Sequence, residues 1–178
     1  MQSLMIVDHP VPDFTLPATG NQTFTLSQAQ GNALVPQNKG LALVPQKQQR
    51  ALVLYFYPKD STPGCTTEAG EFRDLHAQFR KAGCAVYGIS RDSMKSHEGF
   101  KARLKLPFEL LSDTEEAACA LFGVIRQKLL YGKPVRGIER STFVIDADGV
   151  LRREWRGVKA PGHAAEILEF VKSLQGKK

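Results

Sequence analysis

Cys65 lies in the stretch YPKDSTPGCTTE, residues 57–68, with Thr62 three positions before it and Pro58 seven. A continuous apolar and aromatic run over residues 51–57 reads as a strand buried on both faces. A helical pattern begins just after Cys65, so the thiol falls where a strand hands over to a helix. A cysteine in the first turn of a helix faces unsatisfied backbone N–H groups and the positive end of the macrodipole. Both favour the thiolate, the nucleophilic form of cysteine. The Thr62 hydroxyl is close enough in sequence to hydrogen-bond either the sulfur or a substrate oxygen held beside it. Pro58 and Pro63 remove two N–H donors and stiffen the walls of a narrow, partly dry pocket, and Gly64 permits close approach. A plainer reading fits the same residues: Thr62 and Thr66 as helix caps, with Cys65 filling space in the core.

The elements that must position this stretch alternate. Residues 12–16 and 23–26 form an N-terminal hairpin about the Gly20 and Asn21 turn. Residues 27–50 carry a short repeat, ALVPQ at 33–37 and again at 42–46, with ALV a third time at 51–53. A duplication this short is expected to lengthen a loop, giving a flexible surface insertion at about 28–50 in a chain that is otherwise one domain. A helix follows over 66–81, with Phe72, Leu75 and Phe79 on its apolar face and Gly83 as its stop. Then come a strand at 85–90, a helix capped by Ser93, a strand at 108–111 and a short helix from Asp113 or Thr114 with Cys119 in its middle. Residues 126–139 show no firm period. A hairpin of 141–145 and 150–155 turns across Asp146 to Gly149, and an amphipathic helix carrying Ala164, Ile167, Leu168, Val171 and Leu174 closes the chain. This order predicts an α/β fold with a mixed central sheet flanked by helices, and such a sheet keeps its chemistry at the carboxyl ends of its strands.

Composition narrows the function classes. The 178 residues are 42% hydrophobic and carry a net charge of +6, with basic residues scattered among acidic ones, which reads as a solvated surface and not a nucleic-acid footprint. No apolar run approaches the ~20 residues that span a bilayer. The N-terminus lacks the basic start and apolar middle of a signal peptide, so the cytoplasm is the expected compartment. Cys65, Cys84 and Cys119 form no CxxC pair and have no close histidines, so neither a metal site nor a disulfide framework is expected.

Pro58, Thr62 and Cys65 together spell PxxxTxxC, and this resembles the peroxidatic loop of peroxiredoxins of the bacterioferritin comigratory protein or PrxQ subfamily. PDFTL near the start, GISRDS at 88–93, LLSD at 110–113 and RSTFVIDADG at 140–149 extend the resemblance over nearly the whole chain except the insertion. The resemblance implies a thioredoxin-like fold and a cofactor-free, thiol-dependent peroxidase that reduces hydrogen peroxide and organic hydroperoxides. It makes Cys65 the peroxidatic nucleophile, Thr62 its hydroxyl partner, Pro58 the shield of the pocket and Arg140 the guanidinium arriving from a later strand. Thr62, Gly64, Arg140 and Glu68 would hold the peroxide. For Glu68, a carboxylate placed early in the helix, capping is the preferred reading and tuning of the loop the alternative. His76, His97 and Trp155 are expected to be surface or packing residues.

The resolving cysteine of many relatives is missing: the position five residues after Cys65 is Gly70, and the following helix offers Phe100, Lys101 and Ala102. Cys84 lies beyond a helix of ~15 residues, roughly 22 Å away, whereas a disulfide needs Cα atoms within about 7 Å. The expectation is a one-cysteine cycle resolved by an external thiol such as thioredoxin or glutaredoxin, in a protein that the resemblance makes a monomer. A thiol–disulfide oxidoreductase on the same fold would need a second sulfur. A non-enzymatic binding or holdase module would leave Pro58, Thr62, Cys65 and Arg140 unexplained.

Overall fold

The computed structural model describes residues 5–29, 34–36, 43–45 and 50–175. The strand predicted at 51–57 is the central element, β5 (Ala51–Phe56), and every one of its residues is buried. Because side chains alternate along a strand, Ala51, Val53 and Tyr55, with Tyr57 beyond the strand's end, enter one core, while Leu52, Leu54 and Phe56 enter the other. Around it runs a seven-stranded mixed sheet in the order β11-β10-β5-β6-β7-β1-β2. β6 (Cys84–Ser90) is parallel to β5, and β7 (Leu110–Ser112) is parallel to β6. β10 (Ser141–Asp146) and β11 (Leu151–Arg156) add the predicted antiparallel hairpin on one side. β1 (Thr15–Ala18) and β2 (Gln22–Thr25) form the N-terminal hairpin, joined to β7 through the pair Ala18 and Leu111.

The longest helix, α2 (Pro63–Lys81), starts three residues before the predicted position, because Pro63 sits at its start, where a missing N–H costs nothing. With α5 (His163–Gln175) and Phe100 of α3 (Met94–Leu104) it covers the face that holds Cys65. The short α4 (Ala117–Phe122) covers the other face with the N-terminal hairpin. Ser93 caps α3 as expected, its Oγ accepting from the Ser96 N–H at 3.2 Å. A four-residue turn, α1 (Leu26–Ala29), follows β2.

Two features depart from the sequence reading. Residues 126–139, which showed no period, belong to a separate antiparallel ribbon of β8 (Ile125–Leu130) and β9 (Lys133–Ile138). Its strands are exposed beyond their roots, so neither face needed the alternation that marks a half-buried strand. Within the expected insertion, the duplicated triplets pair with each other: β3 (Leu34–Pro36) lies antiparallel to β4 (Leu43–Pro45), with Val35 opposite Val44. The rest of residues 30–49, and with it the expectation of flexibility, lies outside the described residues.

Tyr55 shows how tightly the Cys65 face is filled. Its ring stacks on Phe72 at 4.5 Å between centroids, and its parallel neighbour in β6 is Gly88. A Cβ on Gly88 would stand 2.8 Å from that ring. Among the described residues, the buried Tyr55 hydroxyl has no hydrogen-bond partner. An unsatisfied buried hydroxyl costs stability, so Tyr55→Phe is expected to raise the unfolding free energy by about 1 kcal/mol. Gly88→Ala should lower the urea midpoint by forcing that ring aside. Equilibrium denaturation of both variants checks the pair, and a lower midpoint for Tyr55→Phe would contradict the account.

Candidate active site

β5 ends at Phe56, and residues 57–62 carry the chain to Thr62, the N-cap of α2, which has extended backbone angles. Cys65 is therefore the third residue of the helix, pointing into the core at 2% exposure. The antiparallel register of β10 against β5 sets Ser141 opposite Phe56. That register brings Arg140, one residue before β10, over the end of β5 where the helix begins.

Arg140 makes the central contacts. Its Nη2 donates to Cys65 Sγ at 3.4 Å and its Nη1 to Glu68 Oε1 at 2.6 Å, and its side chain is 14% exposed. Burial works against the Arg140 charge, but the Glu68 carboxylate and the Cys65 sulfur outweigh it and raise the pKa above the ordinary arginine value. Gly64 is fixed by the same arginine: a Cβ there would lie 2.9 Å from Nη2, so only glycine lets the guanidinium reach the sulfur undisturbed.

The preferred capping reading of Glu68 is corrected. The helix begins at Pro63, which leaves no acidic residue in its first turn, and the Glu68 side chain is fully buried beneath Arg140. Its Oε2 has no hydrogen-bond partner among the described residues. Burial pushes this carboxyl up to about 7, against the opposing pull of Arg140.

Thr62 and Pro58 lie apart from this contact set. The Thr62 hydroxyl makes no cap hydrogen bond and donates instead to the Lys59 carbonyl at 2.8 Å, which leaves its oxygen lone pairs as acceptors. Pro58 is exposed at the end of the strand. Trp155 and His76 are packing residues as expected: Trp155 belongs to the core, and His76 packs on the Phe108 ring.

A cluster that sequence reasoning missed holds the loop in place. Asp60 is buried, and its Oδ1 accepts from the Tyr57 hydroxyl at 2.6 Å. Its Oδ2 accepts from the Ser96 hydroxyl at 2.8 Å and meets His97 Nδ1 at 2.7 Å. The other His97 nitrogen faces the Leu111 carbonyl at 2.9 Å, and the Asp60 N–H donates to Asp92 Oδ2 at 2.9 Å. Burial opposes the Asp60 charge, yet the hydrogen bonds from His97, Tyr57 and Ser96 prevail and hold its pKa below the usual carboxylate value. Asp60, Asp92 and His97 offer ligand atoms within 4.8 Å of one another. Both Asp60 oxygens and Asp92 Oδ2 already meet hydroxyl, N–H or imidazole partners, and the cluster acts as a clamp between the loop and α3. His97 is thus a positioning residue. Only its place on the buried side of an amphipathic helix could have pointed to it.

The other two thiols are remote from Cys65. Cys84 begins β6 beside Ala51, at the opposite end of β5 from the loop, and Cys119 belongs to the core on the other face of the sheet. Burial pushes both thiols well above the ordinary value, with Asp113 adding to the effect at Cys119.

The chain matches the model of the AhpC/TSA family over residues 38–154. It is 43% identical over 162 residues to a putative peroxiredoxin bcp of Coxiella burnetii, covering 91% of this chain and 95% of that protein. Among solved structures, PrxQ of Xylella fastidiosa superposes with a TM-score of 0.83 at 38% identity, over 98% of this chain and 99% of that one. The bacterioferritin comigratory protein of Xanthomonas campestris, described with its alkyl peroxide reduction activity, gives 0.79 at 40% identity, over 97% and 99%. The chain belongs to the AhpC/TSA family and, within it, to the Bcp/PrxQ peroxiredoxins. It is a thiol-dependent peroxidase on a thioredoxin-like fold.

Two variants test the geometry. Gly64→Ala should displace Arg140 from the sulfur and slow peroxide reduction by roughly tenfold or more with little change in unfolding midpoint, since small misplacements in a preorganised site are costly. For Glu68, the sign follows from a carboxyl raised to about 7. Above that pH the carboxylate holds Nη1 and keeps Nη2 on the sulfur. Below it the neutral carboxyl loosens that hold, so the rate of Cys65 oxidation should fall on the acid side of an inflection that Glu68→Gln removes. Stopped-flow peroxide reduction across the neutral range reads this, and an unchanged inflection in the variant would sink it.

Proposed function

We propose that the chain reduces hydrogen peroxide and organic hydroperoxides by a one-cysteine cycle in which Cys65 is the peroxidatic nucleophile. The observation that carries this reading is the contact of Arg140 Nη2 with Cys65 Sγ at 3.4 Å in the first turn of α2. The Cys65 thiolate attacks one peroxide oxygen in line with the O–O bond. An S–O bond forms as the O–O bond breaks, and the departing oxygen takes up a proton to leave as water or an alcohol. Arg140 passes its hydrogen bond from the sulfur to the peroxide and meets the developing negative charge, and the backbone N–H groups at Gly64 and Cys65 orient the oxygens. Thr62, with its hydroxyl hydrogen committed to Lys59, accepts the hydrogen of the bound hydroperoxide. Pro58, lacking an N–H, covers the entrance from the strand side.

The product at Cys65 is a sulfenic acid, which excess peroxide drives onward to the sulfinic state. Resolution from within the chain is opposed by distance. β5 separates the ends occupied by Cys65 and Cys84 by roughly 20 Å at about 3.3 Å per residue, and the sheet itself separates Cys65 from Cys119. An external thiol therefore completes the cycle, supplied by a protein such as thioredoxin or glutaredoxin. Three cysteines without a disulfide suit the reducing cytoplasm. The contacts that join Arg140 to Cys65, Glu68 and Gly64 all lie within one chain, which supports a monomer as the working unit.

Hydrogen peroxide consumption driven by dithiothreitol should be abolished by Cys65→Ser and retained by Cys84→Ser and Cys119→Ser. Non-reducing mass spectrometry after one equivalent of peroxide should show oxygen added at Cys65 and no internal bridge. An intramolecular disulfide to Cys84 or Cys119 would overturn the one-cysteine cycle, and turnover surviving in Cys65→Ser would overturn the nucleophile.

A further inference from the structure

The β8–β9 ribbon has no part in the cycle above, yet it carries most of the apolar surface left open. Among the described residues, four of the six large hydrophobic side chains most exposed to solvent are on it or its turn: Leu129 at 78%, Leu130 at 56%, Tyr131 at 96% and Val135 at 44%. Residues 125–138 include Arg126, Lys128, Lys133 and Arg136 and not one acidic residue. Arg126 and Arg136 pair with Glu139 and Glu116 at the root. Lys128 and Lys133 lie further out, with no carboxylate on either strand to answer them. The register sets Lys128 opposite Val135 and Leu130 opposite Lys133, so one face of the outer ribbon combines two cations with two aliphatic side chains.

The ribbon also springs from the catalytic edge of the sheet. Ile125 and Ile138 are buried at its root, and the Glu139 N–H donates to the Val124 carbonyl at 2.8 Å. Arg91, just past the end of β6, donates to the Arg136 carbonyl at 3.4 Å and pairs with Glu116 at 3.0 Å. Arg140 follows two residues after Ile138.

We propose that this basic and apolar face docks the protein dithiol that reduces Cys65, a small acidic protein with apolar surface around its reactive thiol. The inference rests on the external-thiol reading above. The partner's thiolate attacks the sulfur of the Cys65 sulfenic acid, an S–S bond forms, and the hydroxyl leaves as water after taking a proton. The partner's second thiol then displaces the Cys65 thiolate, and the partner departs as a disulfide. Length favours a protein over a lipid surface. Six residues of strand span roughly 20 Å, within the roughly 34 Å diameter that a radius of gyration near 13 Å gives a ~100-residue domain. Such a partner can grip the ribbon and reach the catalytic edge together, whereas a bilayer holding the apex gains no access to Cys65. A contact of a few side chains suits the weak encounters of redox partners, and the lysines would steer it.

Turnover of hydrogen peroxide is compared with thioredoxin, thioredoxin reductase and NADPH against turnover with dithiothreitol, for the intact chain, Lys128→Glu with Lys133→Glu, and Leu130→Ser with Tyr131→Ser. The KM for thioredoxin should rise about tenfold in both double variants, and its salt dependence should flatten in the charge-reversed one, as for a steered interface. Rates with dithiothreitol should stay unchanged, which also reports correct folding. An unaltered KM for thioredoxin overturns the proposal. So does binding to phosphatidylserine vesicles that the variants lose while KM stays put, which would assign the ribbon to a membrane. Intact chain that works with dithiothreitol and not with thioredoxin defeats the docking proposal alone, and failure with dithiothreitol as well defeats the peroxidase reading itself.

Discussion

The contact of one guanidinium with both a sulfur and a buried carboxyl is the constraint on which the rest of the site depends. Arg140 can make it only because β10 lies antiparallel beside β5 in a register that sets Ser141 opposite Phe56. A one-residue slip would turn the side chains of β10 to the wrong faces and carry Arg140 away from Cys65, so the core packing of the hairpin and the geometry of the chemistry are enforced together. Gly64 and Glu68 complete the arrangement from the helix side, one by lacking a side chain where Nη2 lies and the other by answering Nη1.

The loop between strand and helix has a second anchor, independent of Arg140. Asp60 gathers donors from Tyr57, Ser96 and His97, and its own N–H reaches Asp92, so four side chains, two of them on α3, fix a short segment that would otherwise be free to move. A buried carboxylate is tolerated here because its oxygens are satisfied by hydroxyl and imidazole partners.

The three cysteines illustrate how placement decides chemistry. Among the described residues, Cys65 is the thiol that accepts a hydrogen bond from a guanidinium. Cys84 and Cys119 are buried, with their thiols held in the neutral form, one at the far end of the central strand and one across the sheet. Their packing is that of small apolar residues, and the cycle must look outward for its second sulfur.

Much of this was legible in the sequence. The apolar run ending at Pro58, the helical spacing of Phe72 and Phe79, the Ser93 cap and the glycine at 149 fixed strands, helices and turns through local periodicity and backbone preference, and the PxxxTxxC pattern marked the nucleophile. What the sequence could not reveal depended on partners distant along the chain. Glu68 read as a cap because its position in the helix suggested one, while its burial against Arg140 arises from a strand 72 residues later. His97 read as packing because its partner Asp60 is 37 residues away. The β8–β9 ribbon gave no period because neither of its outer faces is buried. Local order follows from the chain's own neighbours, which a sequence displays. Which charge meets which sulfur is set by strand register and burial, and only the tertiary structure decided that.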